Sequence, residues 1–267
     1  VYGTDPESTE AYEQVHCLDA ATGERLWLQT FPGKKSAYGN HCTPAVADGR
    51  VYVGGQKGQL WCLDAASGEV VWQRDGGGPV ASSPLLVSGL VICGHRDIHA
   101  FDAASGEPRW EAEGATETHS PVAWFHDGKA YIIATLSRKK QDSQLQCIDA
   151  ESGTVVWTAA VPDSLKHTTP AIDGDLLAVA GEKHLSVLRL GPDGATLIGQ
   201  TKDKGGRGSA PIVHGQSIIA GNCVRYAVVD GELQKSWESK IDIRDGSSSP
   251  ILANGKIFGI AELDKKE

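Results

Sequence analysis

Short apolar runs recur along the whole chain, each closed off by a glycine turn. Representative runs are Val-Tyr-Val at 51–53 and Leu-Trp-Cys-Leu at 60–63, rich in β-branched and aromatic residues. Such residues suit a pleated, half-buried surface, so the runs predict strands. No segment shows the 3.6-residue apolar period of an amphipathic helix. The pattern is that of an all-β chain with many short strands and tight turns.

The strands are organised by a repeat. Asp, then Gly four residues on, then Trp four further on, occurs as Asp19-Gly23-Trp27, Asp64-Gly68-Trp72, Asp102-Gly106-Trp110 and Asp149-Gly153-Trp157. A second signal alternates with it: a small residue before proline, an apolar run, a Gly turn and another apolar run. Its prolines are Pro44, Pro84, Pro121, Pro170, Pro211 and Pro250. Its turns are Asp48-Gly49, Ser88-Gly89, Asp127-Gly128, Asp173-Gly174, His214-Gly215 and Asn254-Gly255. A residue that tolerates positive φ before Gly is a hairpin signal. Each repeat therefore predicts four antiparallel strands: A after the proline (Ala45 to Ala47), B after the turn (Val51 to Gly54), C into the Asp (Leu60 to Asp64) and D carrying the Trp (Val70 to Arg74). About 40 residues in four strands is one propeller blade. Proline, lacking an N–H, fits at the start of the short first strand. In the fifth repeat Leu190 and Ile198 replace the Asp and Trp, and in the sixth Asp230-Gly231 makes a shorter turn. Both blades are still expected, because their Pro and Gly signals remain.

The string Cys-Leu-Asp-Ala-Ala-Thr-Gly-Glu at 17–24, closed by Trp27, resembles the tryptophan-docking repeat of the pyrroloquinoline-quinone (PQQ)-like propeller superfamily. That superfamily includes BamB-like scaffolds and quinoprotein alcohol dehydrogenases. The resemblance spans essentially the whole chain and is specific for the repeat, not for an activity. It implies one propeller domain over residues 1–267, with about six four-stranded blades and incomplete first and last blades. It also implies that Trp27, Trp72, Trp110 and Trp157 pack between blades, while Asp19, Asp64, Asp102, Asp149, Gly23, Gly68, Gly106 and Gly153 hold the C–D turns. A buried indole N–H needs an acceptor, and a backbone carbonyl of the neighbouring blade is the expected one.

Composition narrows the function. The net charge of −9 disfavours nucleic acid as a partner. No apolar run is long enough for a membrane span. The six cysteines form no C-x-x-C and no adjacent pair, so their spacing points to neither zinc nor a redox motif. Quinoprotein dehydrogenases resemble one another in an adjacent Cys-Cys pair over the cofactor, an Asp base and a Ca²⁺ site, and run to about eight blades. The chain has no such pair, so no cofactor is expected; PQQ with Ca²⁺ belongs only to the alternative reading of a quinoprotein fragment.

One constellation stands out. His41 and His167 lie three residues before Pro44 and Pro170, and His119 lies two before Pro121. Arg207 and Asp245 fall on other D–A connections, and His95, Arg96, Lys183 and His184 fall in B–C turns. Both kinds of connection lie at one mouth of a propeller. A protein or peptide partner, or a small ligand, could engage that mouth; polar caps on strand ends are the plainer explanation. Both chain ends read as strand B, which suggests an arc of a seven- or eight-bladed ring. The expectation is a non-catalytic binding scaffold, with a quinoprotein fragment or a sensor or carbohydrate-associated module as alternatives. An extracytoplasmic location follows from the resemblance alone.

Overall fold

The computed structural model describes residues 12–33, 42–76, 78, 82–94, 97–114, 120–136, 143–165, 169–202, 209–220, 223–239 and 249–259. Every regular element among them is a β-strand. The chain divides into two compact units, Val1–Glu117 and Thr118–Glu267.

The first unit holds three antiparallel sheets. A two-stranded sheet pairs β1 (Tyr12–Leu18) with β2 (Arg25–Pro32). A four-stranded meander follows: β3 (Ala45–Ala47), β4 (Arg50–Gly54), β5 (Gln59–Asp64) and β6 (Val70–Asp75). The third sheet repeats it with β7 (Leu85–Val87), β8 (Leu90–Gly94), β9 (Asp97–Asp102) and β10 (Pro108–Glu113).

The second unit holds three more four-stranded meanders and a two-stranded sheet. The meanders are β11 (Val122–His126) to β14 (Val155–Val161) through β12 (Lys129–Leu136) and β13 (Ser143–Asp149), then β15 (Ala171–Asp173) to β18 (Gly194–Thr201) through β16 (Leu176–Ala180) and β17 (Leu185–Gly191). The last is β19 (Ile212–His214), β20 (Ser217–Ile219), β21 (Val224–Val229) and β22 (Glu232–Glu238), followed by β23 (Ile251–Ala253) and β24 (Lys256–Phe258). Each of the six prolines immediately precedes the first strand of its sheet, where no ladder N–H is needed.

The fifth and sixth repeats keep all four strands despite their altered Asp and Trp positions. Gly199 takes the register position of the Trp in β18, and Ile198, one residue before it at the register shift, packs against the apolar cluster that joins that sheet to the next.

Four A–B turns place a non-glycine and a glycine at positive φ, such as Asp48 at 50° and Gly49 at 71°. Two turns are built otherwise. Asp173 pairs with Leu176 and His214 with Ser217, so the turn residues are Gly174-Asp175 and Gly215-Gln216 rather than Asp173-Gly174 and His214-Gly215. Glycine there takes the first turn position, with φ of 57° and 56°. The shift leaves Asp175 in the turn, where its carboxylate accepts from Trp124 Nε1 at 3.0 Å and lies 3.2 Å from His126 Nδ1.

The apolar core lies between neighbouring sheets. Val15 and Phe31 of the first sheet meet Val51, Val53, Trp61 and Leu63 of the second. Tyr52, Leu60, Cys62 and Trp72 meet Val91, Cys93 and Phe101 of the third. The second sheet is therefore packed on both faces, against the first through one cluster and against the third through the other.

Candidate functional site

The joint between sheets is made by the repeated Asp, Gly and Trp. Asp64 Oδ1 accepts the backbone N–H groups of Ala66 and Ser67, both at 3.0 Å, and closes its own C–D turn. Asp19, Asp102 and Asp149 do the same in their turns. These N–H groups favour the ionised carboxylate, so all four acids sit below the ordinary aspartate value of 3.8, with a backbone N–H as the leading cause.

The closed turn presents a carbonyl to the tryptophan of the preceding sheet. Trp27 Nε1 donates to Ala65 O at 3.0 Å, Trp72 Nε1 to Ala103 O at 3.1 Å and Trp157 Nε1 to Gly191 O at 3.0 Å. Trp110 is half-buried on β10, paired with Ala100 at the corresponding register.

The repeat glycine does two things. Gly68 and Gly106 have φ of 77° and 73°, a region costly for any residue with a Cβ. A Cβ there would also lie 2.7 Å from the Trp27 or Trp72 ring. Trp27, Trp72 and Trp157 lie opposite Cys17, Cys62 and Cys147 in the C–D ladder, with a register shift immediately after each cysteine. Those cysteines are small side chains beneath an indole.

Strands A to D alternate in direction, so the B–C turns and the D–A connections share one end of each sheet. The seven residues that the sequence points to there, His41, His95, Arg96, His119, His167, Arg207 and Asp245, lie outside the described residues. Around them the described backbone is tied down by contacts that pattern reading missed. Cys42 Sγ takes the Gly54 N–H at 3.3 Å, and Ser82 Oγ bonds both the N–H and the carbonyl of Gly94, at 3.0 and 2.9 Å. These residues stand two before the repeat proline. One position later, Thr43 N–H donates to Ser83 Oγ and Ala210 N–H to Ser249 Oγ, and each of these two bonds links one D–A connection to the next.

Buried carboxylates reach from one sheet to the B–C turn of its neighbour. Glu13 Oε1 accepts the Gln56 N–H at 2.9 Å. Asp163 Oδ2 accepts the N–H groups of Lys183 and His184 at 2.8 and 2.6 Å, and its Oδ1 that of Ser164 at 2.7 Å. A Cβ at Gly181 would run into the Asp163 carboxylate. Lys183 and His184 are thus held by their backbones; Lys183 is exposed, while the half-buried His184 ring brings its Nδ1 to 3.6 Å from Asp163 Oδ2. The only sequence signal for these clamps is a Gly just after strand B, at Gly55 and Gly181.

The cysteines do not form the set that a PQQ site of the dehydrogenase kind would use. All six are free, and five are buried in separate strands or connections. Desolvation pushes the Cys42 thiol up to about 11 and those of Cys93 and Cys147 up to about 12, so they stay protonated core groups. Among the described residues no group of three or more His, Cys, Asp or Glu is placed to hold a metal ion.

Known structures share this architecture. The crystal structure of BamB from Moraxella catarrhalis is similar with a TM-score of 0.65 and 16% identity, over 97% of this chain and 79% of that one. The quinohemoprotein alcohol dehydrogenase from Comamonas testosteroni has a TM-score of 0.54 and 18% identity, over 72% of this chain and 41% of that one. A europium-containing methanol dehydrogenase has a TM-score of 0.52 and 13% identity, over 72% and 49%. At these identities the likeness is one of fold, and the fold is a β-propeller. No curated protein matches the chain in sequence. The family described as outer membrane protein assembly factor BamB matches residues 11–116 and 94–262. With its tryptophan joints, its proline-led meanders and that match over nearly its full length, the chain belongs to the BamB-like family of PQQ-like repeat propellers.

Proposed function

We propose that the chain is a non-catalytic scaffold that binds a protein or peptide partner at the end of the sheets carrying the D–A connections and B–C turns. The observation that carries this reading is the family match, whose description is that of an assembly factor. The repeated polar groups support it. The Asp, Trp and clamp carboxylates of the described residues are spent on turns and joints, which favours a rigid platform over an acid–base site. His41, His119, His167 and Arg207 are the residues assigned to the binding end, with His95, Arg96 and Asp245 beside them. An extracytoplasmic location goes with the same family reading.

A displayed peptide library, selected on the immobilised chain, tests the proposal. Bound peptides should lose about tenfold in affinity when His119 and Arg207 are changed to alanine, a loss typical of an interface contact. Peptides that bind all variants alike would place binding elsewhere. Adding PQQ and Ca²⁺ should leave no retained cofactor and no dye-linked alcohol oxidation; activity would overturn the scaffold reading.

A further inference from the structure

The outer edge of the first sheet-to-sheet joint holds a cleft of about 220 Å³. Its floor is the stacked pair Phe31 and Trp61, with ring centroids 4.2 Å apart and planes 21° from parallel. Its walls carry Gln29 from β2, Gln59 from β5 and Gln73 from β6, with Lys57 at the rim. The next joint shows why it is open. There Arg74, two residues after Trp72, bridges from one sheet to the next. Its Nε donates to Gly106 O at 2.7 Å and its Nη2 to Ser105 O at 3.1 Å. Two residues after Trp27 stands Gln29, too short to make that bracket. Beyond it, Trp61 and Gln73 pair across the ladder where His99 and Glu111 pair in the third sheet.

From this cleft we infer a binding site for one neutral, hydroxyl-rich ring, a single sugar unit. Each glutamine amide offers both a donor and an acceptor, which matches hydroxyl groups that do both. No carboxylate lines the cleft, so nothing there recognises a cation. The buried Glu13 stands directly opposite Phe31 in the β1–β2 ladder, and the net charge is −9, so an anion is disfavoured beyond the one exposed lysine. Phe31 and Trp61 stack on each other and are 4% and 2% exposed, so with Val70 and Pro32 they give apolar ground at the base of the cleft, and apolar ground with a few oriented polar groups is the usual make-up of a small-molecule site. The volume corresponds to about seven waters at roughly 30 Å³ each, and falls short of the ~300 Å³ of ordinary ligand sites. That admits one ring and not a chain of them. The cleft runs along the outer edge of the joint to the B–C turn that carries Lys57, and sugar binding in it requires no protein partner at the sheet ends.

The test is a titration of the full chain, labelled at its glutamine side-chain amides, with glucose, galactose and N-acetylglucosamine, and with an oligosaccharide ending in whichever binds. Saturable shifts of Gln29, Gln59 and Gln73 in the millimolar range are expected. Free sugar as the source predicts equal affinity for both forms; a glycan end predicts tighter binding of the oligosaccharide. The variant Gln29→Arg, which restores the Arg74 arrangement with Gly68 O and Ser67 O as acceptors, should weaken binding at least tenfold and melt no lower than the parent. Because Gln73 is exposed, Gln73→Leu gives a second variant with the fold undisturbed and the same expected loss. No saturation by any sugar, equal shifts with glycylglycine, or unchanged binding by both variants would overturn the assignment.

Discussion

The first and second joints of the N-terminal unit are built on the same tryptophan and differ in everything around it. In both, an indole lies on a glycine and donates to the carbonyl of a C–D turn. The second joint adds Tyr52, whose hydroxyl donates to the same Ala103 carbonyl at 3.0 Å, and the Arg74 bracket. The first substitutes an aromatic stack and the Glu13 clamp, and leaves its edge open. The difference teaches which parts of a joint are constant. Trp, Gly and carbonyl must meet in one geometry, so they recur as a spaced motif. The surrounding contacts need only fill space and satisfy polar groups, so they vary, and where they leave a gap a chemically distinct surface appears.

Removing the indole should produce the largest effect. Trp72→Ala deletes a buried ring and one of the two donors to the Ala103 carbonyl, at a cost of about 3–5 kcal/mol in denaturant unfolding. Trp237, 39% exposed on β22, should cost less than about 1 kcal/mol when changed in the same way. Similar losses at the two sites would break the distinction between docked and surface tryptophans.

Glycine substitutions sharpen it. Gly68→Ala meets both the positive φ and the Trp27 ring and should cost about 2–4 kcal/mol. Gly23 has φ of 74° but nothing within 4 Å of a Cβ, so Gly23→Ala should cost only the backbone strain, about 1 kcal/mol. Equal costs would mean that the ring does not rest on the glycine.

The bracket should matter less than the tryptophan. Arg74→Ala loses three hydrogen bonds to carbonyls, those of Gly106, Ser105 and Gln73, but the side chain is about one-third exposed, so about 1 kcal/mol is expected from thermal or denaturant melts. The smallest effect is pH-dependent. The turn aspartates have folded values below 3.8, so their stabilisation is complete above that pH and is lost as pH falls beneath it. Asp64→Asn should therefore be less stable than the parent at pH 7, flatten the fall in stability below about pH 4 and converge with the parent in acid. An unchanged acid profile would show that the Asp64 turn bonds carry no such linkage.

How much of this was legible follows from the same contrast. Strand A at Ala45–Ala47 and its equivalents were readable because proline, alternation and a turn pair leave local marks. The Trp positions were readable because the motif repeats. The Ile198 blade survived loss of its Trp because an apolar residue still filled the joint. The Glu13 and Asp163 clamps were not readable, since a single carboxylate reaching a distant backbone N–H leaves no periodic trace. The Gly174-Asp175 turn was misplaced by one residue because Asp-Gly reads alike in either register, and only strand pairing decides. The open cleft was invisible for a further reason: it arises from Gln29 standing where an arginine stands one repeat later, and a gap has no residue of its own.

The central claim is that Trp27, Trp72 and Trp157 are locked to the neighbouring sheet through their indole N–H groups. Hydrogen exchange of the indole protons, followed by NMR, tests it most directly. The account predicts slow exchange at these three, with protection that falls only when the sheets open, and fast exchange at Trp237. Exchange of Trp27, Trp72 and Trp157 at the rate of Trp237 would contradict it.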